Sequence, residues 1–475
     1  MSVTASRTRY GKGLTTLESE VAIDGLPVQG ELPGWLSGSL IRTGPAQFEA
    51  GERSFRHWFD GQAMLHRFGF ADGVVSYTNK YLATRARAAA KDGRIDYSEF
   101  ATDPCRSIFK RVTSMFSPGP TDNCNVNVTR LGEEYMALTE TPMPVRFDPD
   151  TLDALGVAHQ PPGLHTSAHP HHDPQRGELV GYTVHFGPRS SYRFYAVAPG
   201  QEPRVIASLP VREPAYLHSF GISERYLILA EQPLVVNPLR LALSDRPFIE
   251  NFEWKPERGS RFHVIDRRSG EVRGSYETEA FFHFHHANAF EEDGDLVVDL
   301  VAYDDPEIID ALYLDRLRSR RPSIPPARLR RYRISLEGGQ VESEELAEQY
   351  MELPRINYRR SNGRRYRYVY GSSNRDSHDD EPSQDFLNQI IKVDLDERSE
   401  LTWYEDGCYP GEPVFAPEPE GSAEDSGALL SVVLDSARGT SFLLVLDAAD
   451  LSELARAEVP HHIPFGFHGQ FFRDA

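Results

Sequence analysis

Phe262-His-Val-Ile-Asp-Arg-Arg-Ser-Gly-Glu-Val272 reads as two short strands meeting at a turn. An apolar run ends in Asp, a polar stretch closing on Gly follows, and a second strand begins. The same unit recurs in looser form as Val145-Arg-Phe-Asp-Pro-Asp-Thr-Leu152, as Ile391-Lys-Val-Asp-Leu-Asp-Glu-Arg-Ser-Glu-Leu401 and as Leu443-Leu-Val-Leu-Asp-Ala-Ala-Asp-Leu451. Antiparallel hairpins spread along so long a chain predict radial repetition of small sheets. A β-propeller is the all-β architecture that leaves only short, protected edges. The repeat is too degenerate to count blades from, and a pair of packed β-sandwiches is the alternative.

Outside the hairpins the chain has ordinary globular composition, with 39% hydrophobic and 26% charged residues in 475. No apolar run approaches the ~18 residues of a membrane-spanning helix, and the first ten residues lack a secretory signal. Three cysteines (Cys105, Cys124 and Cys408) cannot all pair, which favours a reducing, cytoplasmic setting. A net charge of −20 argues against a nucleic-acid partner, since phosphate binding relies on clustered cations. Helical patterns are few. Residues 105–116 place Ile108, Val112 and Phe116 on one face, the pattern of a packed amphipathic helix or of one lying in a bilayer surface. The Pro-punctuated apolar stretch from Pro233 to Leu243 is a candidate neighbour for it.

Histidine is the residue type that points to chemistry. Of 17, several fall in clusters: His169-Pro-His171-His172, His283-Phe-His285-His286, and His461-His462 followed by His468, with His218 in Tyr216-Leu-His-Ser-Phe220. None has the spacing of a local zinc motif. A metal site would have to draw single imidazoles from distant strands, which a propeller allows because its inner strands converge on one axis. Structural and surface roles are the competing reading. Imidazole binds Fe, Cu, Zn and Ni alike, so the ion is not fixed by the donor type. All-imidazole ligation leaves an ion its full charge, and carboxylates are then expected behind the rings, fixing each tautomer. Glu140, Glu352 and Glu412, each beside Pro or one residue from it, are the candidates.

The order of these segments resembles that of the carotenoid cleavage oxygenase family, in the branch holding the animal β-carotene oxygenases and the retinoid isomerase of the pigment epithelium. The matching segments run nearly end to end: Gly34-Trp-Leu-Ser-Gly-Ser-Leu-Ile-Arg-Thr-Gly-Pro45, His57-Trp-Phe-Asp-Gly-Gln-Ala-Met-Leu-His66, Tyr97-Ser-Glu-Phe100, Asp103-Pro-Cys-Arg-Ser-Ile-Phe109, Thr121-Asp-Asn123, Thr139-Glu-Thr141, Ala168-His-Pro-His171, Leu217-His-Ser-Phe-Gly221, Phe284-His-His-Ala-Asn288, Glu352 with Pro354-Arg-Ile-Asn-Tyr358, Glu412-Pro413 and Phe467-His-Gly469. Each is short, and their joint order is specific.

The resemblance implies one seven-bladed propeller domain over 1–475, with a helical and loop cap on its top face that takes in roughly 105–120 and 233–255. It implies Fe(II) held by His169, His218, His285 and His468, with His171 and His286 outside the ligand set. Glu140, Glu352 and Glu412 would orient His218, His285 and His468 in some pairing, leaving His169 without a glutamate. Val126 matches the position beside an open coordination site where many members carry threonine. Dioxygen would be the co-substrate and a hydrophobic polyene the substrate, cleaved at one double bond to carbonyl products. The family also implies peripheral contact with a membrane. A conjugated hydrocarbon offers few hydrogen bonds, so regiochemistry must come from aromatic walls, for which Phe59 and Phe100 are the candidates.

Three other readings stay open at this level. Stilbene-cleaving members carry a lysine where this chain has Thr139, which disfavours that substrate. Non-oxidative chemistry like that of the retinoid isomerase shares the ligand set, and Val126 is compatible with it. A scaffold propeller with vestigial histidines is the reading from a different class, and the complete set of four histidines and three glutamates speaks against it.

Overall fold

The computed structural model describes residues 8–103, 120–173, 176–375 and 381–473. Among them are seven antiparallel sheets of four or more strands, arranged as the blades of a seven-bladed β-propeller, and two small two-stranded ribbons. The sandwich alternative falls, because the innermost strands of successive sheets pack against one another around a common axis.

The ring closes at two places. The C-terminal strand Gly469–Phe472 pairs with Gly38–Gln47 and completes the first blade from the inside. The N-terminal strand Val28–Gly30 pairs with Glu453–Glu458 and extends the last blade at its outer edge. Strands from the two ends of the described chain are thereby tied into the first and last blades.

The hairpin that decided the sequence reading is the outer pair of the fourth blade, Ser260–Asp266 with Val272–Thr278. Its repeats form the outer pairs of the second and sixth blades and, in the seventh, the pair Thr440–Asp447 with Glu453–Glu458 just inside the added Val28–Gly30 strand. The recurring Asp has a local cause. Asp266 Oδ1 accepts from the backbone N–H of Arg268 and Ser269 at 2.9 and 2.8 Å. Asp148 and Asp394 hold the equivalent turn amides in the same way, and Asp447 takes the Ala449 N–H at 2.7 Å. An Asp at the strand end thus supplies acceptors that the turn backbone lacks.

Middle strands such as Thr440–Asp447 are buried on both faces, because each blade is stacked between two others. That is why Leu443-Leu-Val-Leu446 shows no polar alternation. The outermost strands are the opposite case. Val341–Glu345 is mostly exposed and carries three glutamates, which blunts that blade edge, and Ser399–Tyr404 is exposed at Ser399, Leu401 and Thr402.

The helical stripe at 105–116 lies outside the described residues. Of the 233–255 stretch, Leu234–Val235 pairs with Glu253–Trp254, and Pro238–Leu243 forms a short helix capped by Asn237 Oδ1. Among the described residues no helix is long and apolar enough to cross a membrane.

Candidate metal centre and substrate cavity

Every blade sends one residue toward the axis. His468 immediately precedes the inner strand of the first blade, and Glu140 follows the second strand of the second. His169 lies just before His171–Asp173 in the third blade, and His218 just before Gly221–Ile222 in the fourth. His285 is within Phe282–Glu292 of the fifth, Glu352 opens Glu352–Arg355 of the sixth, and Glu412 sits between the two short inner segments of the seventh. Residues up to 300 positions apart in sequence meet because the fold is a ring.

One ring nitrogen from each of His169, His218, His285 and His468 lies within 4.8 Å of the others. His169 Nε2 is 2.9 Å from His218 Nε2, and His285 Nε2 is 3.1 Å from His468 Nε2. The far sides of three rings face carboxylates. His218 Nδ1 donates to Glu140 Oε1 at 2.7 Å, His285 Nδ1 to Glu352 Oε2 at 2.7 Å, and His468 Nδ1 to Glu412 Oε1 at 2.8 Å. Among the described residues no glutamate contacts His169, whose backbone N–H is held by Ser167 Oγ. The resemblance left the pairing of rings and carboxylates open, and the geometry sets it.

These contacts fix the tautomers. A ring that gives its Nδ1 proton to a carboxylate carries a lone pair on Nε2. His285 and His468 therefore aim two lone pairs at each other across 3.1 Å, an arrangement that repels unless a cation sits between them. A proton is a poor candidate. Burial holds His169 well below its ordinary value, and it pulls His468 down to about 4 despite Glu412. A metal ion fits: with metal–imidazole bonds of about 2.1 Å, ligands at right angles stand about 3 Å apart. The four neutral donors are of the borderline type that takes Fe, Zn, Cu or Ni.

The carboxylates are themselves held. Tyr216 Oη donates to both oxygens of Glu140 at 3.1 and 3.2 Å, and Tyr303 Oη to Glu352 at 2.9 Å. The Leu353 N–H adds a bond to Glu352 at 2.7 Å. Glu412 is 1% exposed. Burial opposes its ionisation, but Arg355, His468 and the Gly469 N–H prevail and hold it at about 2. Read one at a time in sequence, each of these glutamates resembled a surface charge; all three face the axis.

The excluded histidines have other partners. His171 contacts Tyr358 Oη and the Phe220 carbonyl, each at 2.9 Å, and His286 contacts Ser219 Oγ at 2.8 Å.

A cavity of about 1510 Å³ opens over the imidazole cluster, three of whose rings line it. Its lining includes His218, His285, His468 and Val126, and both Phe59 and Phe100, whose ring centroids are 5.2 Å apart. Val126 also accepts a backbone bond from His468 at 3.2 Å. Phe284 and Phe467 complete the aromatic cluster, 5.8 and 5.2 Å from Phe59, and Trp58 packs on Phe467 at 4.5 Å. Sequence reasoning passed over these three, although Phe284 and Phe467 each immediately precede a clustered histidine. Thr139 lines the same space. At the mouth, Leu164, Leu239 and Leu243 are 59%, 68% and 77% exposed.

Comparison with known proteins agrees with this geometry. The family model described as retinal pigment epithelial membrane protein matches residues 14–473. The mitochondrial carotenoid-cleaving dioxygenase of Macaca fascicularis is 35% identical, over 96% of this chain and 93% of its own. The carotenoid isomerooxygenase of Galleria mellonella is 36% identical, over 97% and 96%. Human β,β-carotene 15,15′-dioxygenase is 34% identical, over 94% and 92%. Among solved structures, cobalt-substituted Synechocystis apocarotenoid oxygenase superposes with a TM-score of 0.87 at 28% identity, covering 98% of each chain.

Proposed function

Because this chain belongs to the carotenoid cleavage oxygenase family, represented by the retinal pigment epithelial membrane protein model, we propose that it is a non-haem iron(II) dioxygenase. Its reaction is cleavage of one carbon–carbon double bond of a carotenoid or apocarotenoid to two carbonyl products. The observation that carries this reading is the set of four neutral imidazoles converging beneath an aromatic-walled cavity.

His169, His218, His285 and His468 are assigned as the ligands, and ferrous iron bound there supplies dioxygen activation. Glu140, Glu352 and Glu412 keep the Nδ1 protons in place, so that each Nε2 lone pair stays turned inward. Phe59, Phe100, Phe284 and Phe467 hold the polyene by shape and ring contact, and they keep water from the reacting bond. Val126 places an apolar side chain at the cavity floor next to His468.

The exposed leucines at the cavity mouth support peripheral contact with a membrane, from which a substrate insoluble in water would enter. Thr139 offers no cation for a phenolate, so stilbene cleavage is not favoured.

Incubation with β-carotene and a series of apocarotenals under labelled dioxygen tests the proposal. Mass spectrometry should find aldehyde products carrying label from dioxygen. A rearranged product formed without oxygen uptake would instead support isomerase chemistry, the reading that Val126 keeps in view.

A further inference from the structure

The three glutamates behind the rings are not supported alike. Glu140 and Glu352 take their additional side-chain hydrogen bonds from phenols, Tyr216 and Tyr303. Burial pushes both phenols well above their ordinary range, so these donors are neutral. Glu412 has a cation instead. Arg355 Nη1 stands 3.7 Å from Glu412 Oε1, while the Gly469 N–H holds Oε2 at 2.9 Å. Among the described residues, Glu412 is the one carboxylate of the three with an arginine in ion-pair reach.

Arg355 also grips the chain next to His468. Its Nη2 donates to the Gly469 carbonyl at 2.9 Å and to Gln470 Oε1 at 3.0 Å. The strand Glu352–Arg355 therefore carries the partner of His285 at its start and the partner of Glu412 at its end. A second guanidinium, that of Arg42, lies buried against Gly411 and Gly466, where an added Cβ would meet it at 3.3 Å. Its charge reaches Glu412 too.

A carboxylate that accepts an imidazole N–H raises the basicity of that imidazole toward a metal. A cation beside the carboxylate draws off part of that effect. We propose that Arg355 is a positioning residue for His468, which offsets the charge of Glu412 and makes His468 a weaker donor to the metal than His218 and His285. The inference rests on the iron reading of the site.

The test is the Fe(III)/Fe(II) midpoint potential of purified, iron-loaded protein, with iron content measured alongside. R355Q keeps a donor toward Gly469 and Gln470 but loses the charge. The ratio of ferric to ferrous affinity should rise about tenfold, a fall of about 59 mV for one electron. R355K keeps the charge and should stay within about twofold of the parent. An unchanged potential in R355Q, or an equal fall in R355K, overturns the proposal. If R355Q does not fold, R355K decides alone: a parental potential supports the assignment and a tenfold shift defeats it. A parent chain that takes up no iron fails the underlying reading instead, so the two failures are distinguishable.

Discussion

His285 and His468 face each other across 3.1 Å, Nε2 to Nε2, while each gives its Nδ1 proton to a glutamate on the far side. Two lone pairs held in opposition are a poor arrangement for a protein alone and a good one for a protein with a cation. Metal binding and folding are therefore linked at this site.

Removal of the metal should lower stability. A ligand present at 100 times its dissociation constant stabilises the fold by about 2.7 kcal/mol. Treatment with a strong chelator should reduce the thermal midpoint, and added Fe(II) should restore it. A midpoint indifferent to both would mean that the lone pairs are relieved in another way.

Replacing the carboxylates should be milder than replacing the rings. E352Q keeps the shape of the side chain and removes its charge, and changes of this kind typically cost about 10–100-fold in metal affinity or activity. H218A should lose the iron altogether. If E352Q is as damaging as H218A, Glu352 binds the metal directly.

Phe59 touches Phe100, Phe284 and Phe467 in one cluster. F59A should leave iron content unchanged and alter the ratio of products from an asymmetric apocarotenal. Loss of iron in F59A would place this residue in the support of the metal rather than of the substrate.

Acid should weaken the fold well above the carboxylate range. His57 accepts the Phe59 N–H on Nδ1 and donates from Nε2 to Ile309, so only the neutral ring fits. Burial, with Arg56 adding to it, pulls His57 down to about 3 against an ordinary 6.5. The unfolded chain therefore binds the proton first. Stability is full above pH ~6.5 and falls as pH drops toward 3, by up to about 1.4 kcal/mol per pH unit for each such proton. His462, pulled down to about 4, acts in the same sense. Urea midpoints should decline between pH 7 and pH 5, and less steeply in H57Q. A flat profile would contradict the buried neutral assignment.

Much of this was legible in the chain because local chemistry repeats. The Asp of each outer hairpin answers to its own turn amides, so Asp148, Asp266, Asp394 and Asp447 could be recognised without the fold. The blade count was not legible from the hairpins, since only four of the seven blades carry the unit in readable form. Three of the four histidines stood out in clusters and His218 stood alone, but which ring of each cluster turns inward depends on strand register, and the choice came from the resemblance. Tyr216, Tyr303 and Arg355 were missed as supports for the glutamates. They lie 76, 49 and 57 positions from the carboxylates they touch, and only the closed ring brings them together.

X-ray absorption spectroscopy at the iron edge of the reduced protein tests the central claim most directly. The account predicts one iron per chain with scattering from four imidazole rings and no carboxylate oxygen among the protein ligands. An ion bound by fewer imidazoles, or by Glu140, Glu352 or Glu412 directly, would contradict it.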